Sequence, residues 1–342
     1  MRPGPRAGAR TDTGPATPLR TVTADTVALV PFRHAPFPCA LAAPGQVRPF
    51  FDIEHAGRRG HTARDGRVYW EHETYCDNRV LVAIPADFDP RRPATLVVYL
   101  HGNLATLERD VCARQQLPAQ VARAAINAVL LAPQFALNAP DSSPGAFAHP
   151  GKFARFLDEA ADRLGPLLRP RLAQHQRRPD FSTAAVIIVA YSGGYLAAAC
   201  ALSRGHASRR VRGVLLLDAL YGNEADFANW LSRERRHAFF VSAYGADTRA
   251  ANDRLAALLE VAEVPHRRVL PPQLTAGTAS FVDLGSAADH AGFANRAWTD
   301  DPITDALRRA GLAHRQRRTS PPATLSPSLR NCRNRHPTIP PR

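Results

Sequence analysis

A serine stands at the junction of two apolar runs in the segment VIIVAYSGGYLAAAC, residues 186–200. The first run predicts a buried strand and the alanine-rich second run predicts a helix, with Ser192 between them. Ala190 lies two positions before the serine and Gly194 two positions after it. Small residues at these positions let strand and helix approach closely while a sharp turn exposes the hydroxyl. The pattern predicts that Ser192 is a nucleophile; the alternative is a serine that only caps the helix N-terminus.

A serine hydroxyl needs a neighbouring base, because it is a weak nucleophile at neutral pH. Of the 13 histidines in the chain, His290 in the segment SAADHAGFANRAW follows the last predicted strand and precedes the last predicted helix. That place suits the base in a chain order of serine, acid and histidine. We therefore predict His290 as the base, with His266 and His314 as fallback candidates.

Two aspartates are candidates for the acid that orients the base. Asp247 follows the apolar segment FFVSAYGA, and Asp218 ends the apolar segment GVLLLD one strand earlier. A carboxylate bonded to the histidine fixes its tautomer and stabilises the imidazolium. We favour Asp247 and keep Asp218 as the alternative acid, the other being a structural carboxylate that caps a turn. Three further aspartates are less favoured: Asp253, Asp283 and Asp289.

Backbone N–H groups could stabilise an oxyanion formed at such a serine. Gly193 opens the predicted helix, where its N–H points toward developing negative charge. The segment YLHGN ends an earlier apolar strand, and its glycine would let the N–H of Asn103 or Leu104 turn toward the same place. We predict Gly193 with Asn103 or Leu104 as donors, and His101 as a structural histidine.

Continuous apolar runs alternate with helical patterns through most of the chain, which predicts a mostly parallel sheet covered by helices on both faces. The predicted strands are 78–85, 94–103, 127–134, 184–191, 211–222, 237–245 and 281–286. The predicted helices are 107–124 with a kink at Pro118, 151–168, 193–204, 224–234, 248–262 and 301–311. Ligands bind at the carboxyl ends of strands in such sheets, and the candidate residues gather at those ends.

The composition of the chain predicts one α/β domain between two tails. Residues 1–20 are rich in proline, glycine, threonine and arginine, and 315–342 are rich in arginine and proline, so both are expected to be disordered. Residues 21–314 are expected to form a single domain. Within it, 21–77 receive no assignment, except that GRVYWEHETY is a candidate antiparallel edge of the sheet.

Charge and cysteine content exclude some functions. The formal net charge is +14, but four arginines lie in residues 1–20 and seven in 315–342, so the excess sits in the tails and specific nucleic-acid binding is not expected. The five cysteines include no CxxC pair, which argues against a metal cluster, while a single Cys39–Cys76 bridge stays open. No apolar run reaches the length of a membrane span and no signal-peptide core is present, so we expect a cytoplasmic protein of undetermined oligomeric state.

These segments together resemble the α/β-hydrolase superfamily in its esterase/lipase branch. The resemblance covers roughly residues 78–312 and is carried by VVYLHGN, IIVAYSGGY, LLLDALYG, YGADT and DHAGF. It implies an eight-stranded, mostly parallel sheet and no cofactor. The sequence departs from the family pattern in Ala190, which replaces a glycine, and in an HGN loop that replaces HGGG.

The resemblance also implies a reaction. Ser192 would attack a small-molecule carboxylic ester, His290 would accept its proton, and Asp247 or Asp218 would hold the histidine, giving an acyl-enzyme that water hydrolyses. Two alternatives stay open: an amidase or peptidase on the same scaffold, and a non-catalytic protein that uses the pocket for binding.

Overall fold

An eight-stranded sheet forms the centre of the protein in a computed structural model. The structure describes residues 25–42, 44–45, 48–63, 65–172, 179–286 and 289–319, with side chains as far as residue 311. The predicted disordered tails, 1–20 and 315–342, therefore lie outside the described residues, apart from the backbone of 315–319.

The strands follow the apolar runs of the sequence. They are β1 (Thr26–Pro31), β2 (Ile53–His55), β3 (Arg58–Thr62), β4 (Val68–Trp70), β5 (Arg79–Ile84), β6 (Thr95–Leu100), β7 (Ala128–Pro133), β8 (Ala185–Tyr191), β9 (Val211–Leu217), β10 (Phe239–Gly245) and β11 (Ala279–Gly285). Strands β6 to β10 are buried almost throughout, as expected where helices cover both faces of a sheet.

The strand order of the large sheet is β1-β5-β7-β6-β8-β9-β10-β11. Strands β1 and β5 pair antiparallel, β5 pairs antiparallel with β7, and every pair from β7 to β11 is parallel. This mostly parallel, eight-stranded sheet has the α/β-hydrolase fold, which confirms the predicted fold class.

Helices follow most of the predicted helical segments. They are α1 (Glu71–Thr74), a π-helix (Leu107–Arg114), α2 (Leu117–Arg123), α3 (Lys152–Leu168), α4 (Tyr195–Ser203), α5 (Glu224–Glu234), α6 (Ala246–Val261) and α7 (Pro302–Thr319). The predicted single helix 107–124 was wrong, because Gln116 adopts a left-handed conformation that ends the π-helix before α2. Pro118 lies in the first turn of α2, where its missing N–H costs nothing, rather than at a kink.

Two hydrophobic cores lie on opposite faces of the large sheet. One packs α3, α4, α5 and α6 against one face, and the other packs the π-helix, α2 and α7 against the opposite face. Because helices cover both faces of the sheet, the sheet is accessible to ligands only at the ends of its strands.

Residues 48–75 form a small separate unit beside the large sheet. Strands β2, β3 and β4 make a three-stranded antiparallel sheet, so GRVYWEHETY does not form the edge of the large sheet as predicted. The antiparallel edge is β1 instead, which pairs along its whole length with β5. Phe50, Phe51 and Tyr75 pack with Phe37 in a third apolar cluster. The thiols of Cys39 and Cys76 are both free, so the bridge left open by the sequence is not formed.

Candidate active site

Ser192 lies on a sharp turn between β8 and α4. Strand β8 ends at Tyr191, and Ser192 follows with a φ of 52° at the start of a short 3-10 turn that leads into α4. A positive φ in a residue that is neither glycine nor asparagine is uncommon and marks a backbone held by its surroundings. The side chain is half-buried, and Ser192 lines a cavity.

Two glycines make room for this turn. A Cβ placed on Gly194 would lie 2.2 Å from the carbonyl oxygen of Leu100, at the end of β6. A Cβ placed on Gly102 would lie 2.6 Å from the Cβ of Ser192. Real Cβ atoms do not approach other atoms this closely, so the serine, the helix start and the loop after β6 can meet only with glycine at both positions.

His290 contacts the serine hydroxyl from the loop after β11. Its Nε2 lies 2.9 Å from the Oγ of Ser192. The hydroxyl of Tyr191 donates a hydrogen bond to the carbonyl oxygen of His290 at 3.0 Å, and the two rings stack 5.4 Å apart. Arg114 also donates to the carbonyl oxygen of Ala291 at 3.0 Å. The backbone of this loop is therefore tied to β8 and to the π-helix, which fixes the imidazole over Ser192.

Asp218 contacts the other ring nitrogen of the histidine. It follows β9 directly, and its Oδ2 lies 2.6 Å from Nδ1 of His290. Its Oδ1 accepts hydrogen bonds from the N–H of Gly245 at 3.1 Å and from the hydroxyl of Thr248. An ionised carboxylate can only accept hydrogen bonds, so Nδ1 of His290 carries the proton that is donated to Asp218. Nε2 is then left to accept a hydrogen bond from Ser192.

The Asp218 carboxylate is buried, with 4% of its side chain exposed. Burial by itself raises the pKa of a carboxyl group, but the hydrogen bonds from His290, Thr248 and Gly245 outweigh it and lower the pKa of Asp218. The group therefore stays ionised at neutral pH, where it can stabilise a positive charge on His290.

Asp247, the acid favoured by the sequence, is not brought to the histidine. It lies on the exposed first turn of α6, and the structure gives it no hydrogen bond to His290. The loop after β10 contributes Gly245 and Thr248 as donors to Asp218 instead of contributing the acid itself. The structure thus brings together Ser192, His290 and the alternative acid Asp218.

The other ionisable candidates have other partners. Asp253 pairs with Arg268 and Asp283 pairs with Arg249. His266 lies against Phe281 and 3.8 Å from Glu260. The side chain of His314 is outside the described residues.

Of the three predicted oxyanion donors, two have no hydrogen-bond acceptor among the described residues and one already has an acceptor. The N–H of Leu104 donates to the carbonyl oxygen of Ala139 at 2.8 Å, so it is already engaged. The N–H of Asn103 has no partner among the described residues, and the N–H of Gly193 lies in the first turn of its helix, where no acceptor within the helix exists. The Asn103 Oδ1 lies 2.5 Å from where a Cβ on Gly193 would be, so the two residues are neighbours.

His101 supports this loop from the core. Its Nε2 accepts from the N–H of Phe135 at 2.9 Å, which places the proton on Nδ1, and Nδ1 donates to the carbonyl oxygen of Gly102 at 2.8 Å. Burial lowers the pKa of His101 to about 4, so the ring is neutral. This histidine holds the loop after β6 and does not touch Ser192.

A cavity of about 750 Å³ opens beside Ser192. One wall is formed by residues at the strand ends, including Gly193, Asn103, Tyr195 and Tyr221. A second wall comes from the small unit at 48–75 and contributes Arg48, Phe50, Asp52, His61 and Thr62. Sequence reasoning missed this second wall, because segment 48–62 has neither a clear hydrophobic period nor a recognisable motif.

Comparisons with known proteins find similar solved structures at low identity. No protein-family model matches the sequence, and no curated protein matches it. A mutant of the feruloyl esterase module from Clostridium thermocellum complexed with sinapinate is 16% identical, over 74% of this chain and 86% of that chain, with a TM-score of 0.42. An S-formylglutathione hydrolase from Agrobacterium tumefaciens is 14% identical, over 76% and 98%, with a TM-score of 0.41. A thermophilic esterase from Thermogutta terrifontis is 13% identical, over 70% and 83%, with a TM-score of 0.38.

These TM-scores lie below 0.5, so the fold is assigned from the strand order of this chain and the site from its own hydrogen bonds. In the part of the chain that the structure describes, no helix combines the length and the apolar character needed to cross a bilayer. No group of three or more histidine, cysteine or acidic side chains among the described residues is placed to hold a metal ion. The expectation that the protein needs no cofactor stays a prediction.

Proposed function

We propose that this protein is a serine hydrolase that cleaves small carboxylic esters. The observation that carries the proposal is the unbroken hydrogen-bonded chain from Ser192 Oγ through the His290 ring to the Asp218 carboxylate, with distances of 2.9 and 2.6 Å. The positive φ of Ser192 supports it, because a nucleophile on a strand-to-helix turn adopts such a conformation.

The first step is attack of the serine on the ester carbonyl. His290 Nε2 accepts the proton of Ser192 as Oγ bonds to the carbonyl carbon. Asp218 stays ionised and stabilises the imidazolium that forms. The negative charge on the carbonyl oxygen is stabilised by the N–H groups of Gly193 and Asn103, since such donors act most strongly where charge develops in the transition state.

The second half of the reaction reverses the proton transfers. His290 gives its proton to the leaving alcohol, and the acyl group stays on Ser192. A water molecule then loses a proton to Nε2 of His290 and attacks the acyl carbon. The bond between that carbon and Ser192 Oγ breaks as His290 returns the proton to Oγ, which releases the carboxylic acid and restores the serine. All groups in both halves come from the ends of β6, β8 and β9 and from the loop after β11.

Two alternatives differ from this proposal in what they predict. An amidase or peptidase would use the same three residues, so it differs only in the bond that is cleaved. A non-catalytic binding protein would not need the serine hydroxyl within hydrogen-bonding distance of His290, and the 2.9 Å contact argues against it.

The test compares Ser192→Ala with Ser232→Ala, a control on α5 whose hydroxyl donates a hydrogen bond to the carbonyl oxygen of Ala228. Both variants and the wild type are assayed on p-nitrophenyl acetate, p-nitrophenyl butyrate and the matching anilides, and labelled with a fluorophosphonate. We expect Ser192→Ala to lose ester hydrolysis and labelling while Ser232→Ala keeps both. Ester hydrolysis or labelling that survives in Ser192→Ala contradicts the proposal, and anilide turnover that exceeds ester turnover favours the amidase.

A further inference from the structure

Two clefts lie at the amino-terminal ends of the central strands, away from the carboxyl-terminal ends where Ser192 lies. Thr95 opens β6 and Ala185 opens β8, and both line these clefts, whereas Ser192 follows the other end of β8. Strand β8 has seven residues, so the clefts lie roughly 20 Å from the serine at the usual rise per residue. A ligand bound there would not touch the candidate active site.

The two clefts adjoin each other. One has a volume of about 450 Å³ and the other about 400 Å³, within the usual range of small-molecule sites. The two clefts share four lining residues: Thr95, Ala185, Ile187 and Ala310. The floor is apolar, because Ile187 and Phe239 extend from the sheet under α7 and each is only 5% exposed. One ligand could therefore extend through both clefts.

Positive charge is concentrated in the smaller cleft. Arg212, Arg236 and His237 line it, and no aspartate or glutamate does so among the described residues. Neither arginine forms an ion pair in the part of the chain that the structure describes, whereas many other arginines pair with carboxylates. Arg212 is half-buried. Two guanidinium groups without a carboxylate beside an apolar floor provide donors for an anionic group of a ligand.

The larger cleft differs in character. Its lining is mostly apolar, with Pro93, Ala94, Ile126 and Ala184 among its residues. It also contains one exposed arginine, Arg92, and one carboxylate, Asp180, which interacts electrostatically with Arg210 outside the cleft. This cleft can therefore accept an uncharged, apolar part of a ligand whose charged end lies between Arg212 and Arg236.

We propose that the adjoining clefts form one binding site for an amphipathic carboxylate, with the carboxylate on Arg212 and Arg236 and the apolar chain in the larger cleft. Charge complementarity selects this ligand over a neutral one, because only a ligand with an anionic group forms charge-assisted hydrogen bonds with the two arginines. The apolar floor selects it over a small inorganic anion, which would leave the larger cleft unfilled. The proposal does not depend on ester hydrolysis at Ser192.

The test measures binding of dodecanoate, below its micelle concentration, to the full-length protein by isothermal titration calorimetry. Dodecanol and inorganic phosphate are measured in parallel as the uncharged chain and the bare anion. We expect dodecanoate to bind at least about tenfold more tightly than either, since charge-assisted hydrogen bonds and apolar burial both contribute. Equal affinity for dodecanol or for phosphate would overturn the proposed chemistry.

Variants then locate the site. Arg212→Gln/Arg236→Gln should weaken dodecanoate binding at least about tenfold, while Arg212→Lys/Arg236→Lys should keep part of it. The control Arg209→Gln/Arg233→Gln removes the same charge at exposed positions outside both clefts and should change nothing. Thr183→Trp, at the exposed rim of the larger cleft, should weaken dodecanoate binding but not phosphate binding. Thermal unfolding midpoints verify that each variant is folded.

Affinity that is unchanged in the Arg212→Gln/Arg236→Gln variant would place dodecanoate elsewhere, including in the cavity beside Ser192, and would overturn the site. An equal loss of affinity in the Arg209→Gln/Arg233→Gln control would show that the loss comes from the lower net charge of the protein. That result would also overturn the proposed site.

Discussion

Asp218 holds His290 through one carboxylate oxygen, with Oδ2 2.6 Å from Nδ1 of the ring. The other oxygen accepts from Gly245 and Thr248, which belong to the end of β10 and the start of α6. The carboxylate thus bridges three elements: the end of β9, the loop after β11 and the junction of β10 with α6. This bridge explains why the end of β10 contributes donors to the site and no acid.

Substitution of the acid should separate the two aspartates that the sequence left as alternatives. In Asp218→Asn the amide offers an N–H to Nδ1 of His290, which favours the tautomer that cannot accept from Ser192. We expect kcat for ester hydrolysis to fall about 10³- to 10⁴-fold with little change in KM. Steady-state kinetics on p-nitrophenyl acetate check this, with circular dichroism to verify the fold.

The matched control is Asp247→Asn, an exposed position on the first turn of α6. A surface substitution of this kind should leave kcat within about twofold of the wild type. If Asp247→Asn lost more activity than Asp218→Asn, the assignment of the acid would be wrong.

The sequence was sufficient for seven of the eight strands of the large sheet and for two residues of the candidate site. Long apolar runs such as β8 and β9 are buried on both faces, so composition alone marks them as strands and places their ends on one edge of the sheet. Ser192 and His290 could be proposed because their positions relative to those strands follow the chain order of the fold.

The acid could not be chosen in the same way. Asp218 and Asp247 both follow buried strands, and the choice depends on how the loops after those strands turn. Asp218 has a φ of 43°, a conformation that tertiary contacts with Gly245 and Thr248 stabilise and that no local pattern reveals. One weak signal was present. Asp218 directly follows the apolar run LLL, which predicts a position closer to the end of its strand than that of Asp247.

Segment 48–62 shows a second limit of the sequence. Its strands are only three and five residues long, and the burial pattern of β2 is exposed throughout, so hydrophobic periodicity is absent. Its place is determined by the aromatic cluster of Phe37, Phe50 and Tyr75, whose members are far apart in sequence. Contacts of this kind become visible only when the chain is folded.

Gly193→Ala should impair the oxyanion donors without touching the three hydrogen-bonded residues. The new Cβ would lie 2.4 Å from the Ser142 hydroxyl and 2.5 Å from Oδ1 of Asn103, so these side chains must move. Ser142 donates to Oδ1 of Asn103 at 2.9 Å, and displacing this pair shifts the backbone N–H of Asn103. We expect kcat to fall about 10²-fold, as for the loss of one oxyanion donor.

A double-mutant cycle with Ser142→Ala checks the cause. If the crowding is with the Ser142 hydroxyl, Ser142→Ala should restore part of the kcat lost in Gly193→Ala, giving a coupling between the two positions. Strictly additive effects would mean that Gly193→Ala acts through something other than the Ser142–Asn103 pair.

His101 should make the free energy of unfolding depend on pH in a defined window. Its pKa is lowered from 6.5 to about 4 by burial, so the unfolded chain binds a proton at this residue more readily than the folded protein. The free energy of unfolding is therefore highest above pH 6.5. It decreases as the pH falls toward 4, by about 3 kcal/mol in total, because the unfolded chain is protonated at this residue before the folded protein is. Urea denaturation at a series of pH values between 4 and 7 measures it.

The variant His101→Gln is expected to be less stable at pH 7, because the bonds to Gly102 and Phe135 are disturbed, but its stability should fall less between pH 6.5 and 4. His55→Gln, at an exposed histidine on β2, is the control and should follow the wild-type curve. A His101→Gln curve parallel to the wild type over this window would show that another group causes the pH dependence.

Gly194→Ala tests whether the close approach of α4 to β6 is required for the turn that holds Ser192. The added Cβ would lie 2.2 Å from the backbone oxygen of Leu100, and backbone on both sides leaves no flexible side chain to move aside. We expect a loss of at least about 1–3 kcal/mol in the free energy of unfolding, as for other overpacked sites, together with a fall in kcat as Ser192 shifts from His290.

Gly222→Ala is the control, since its Cβ would meet Tyr195 only at 3.8 Å, an ordinary contact. Because Gly222 lies beside Tyr195, the first residue of α4, a loss confined to Gly194→Ala would trace the effect to the close approach of α4 and β6, whereas equal losses in both variants would refute that explanation.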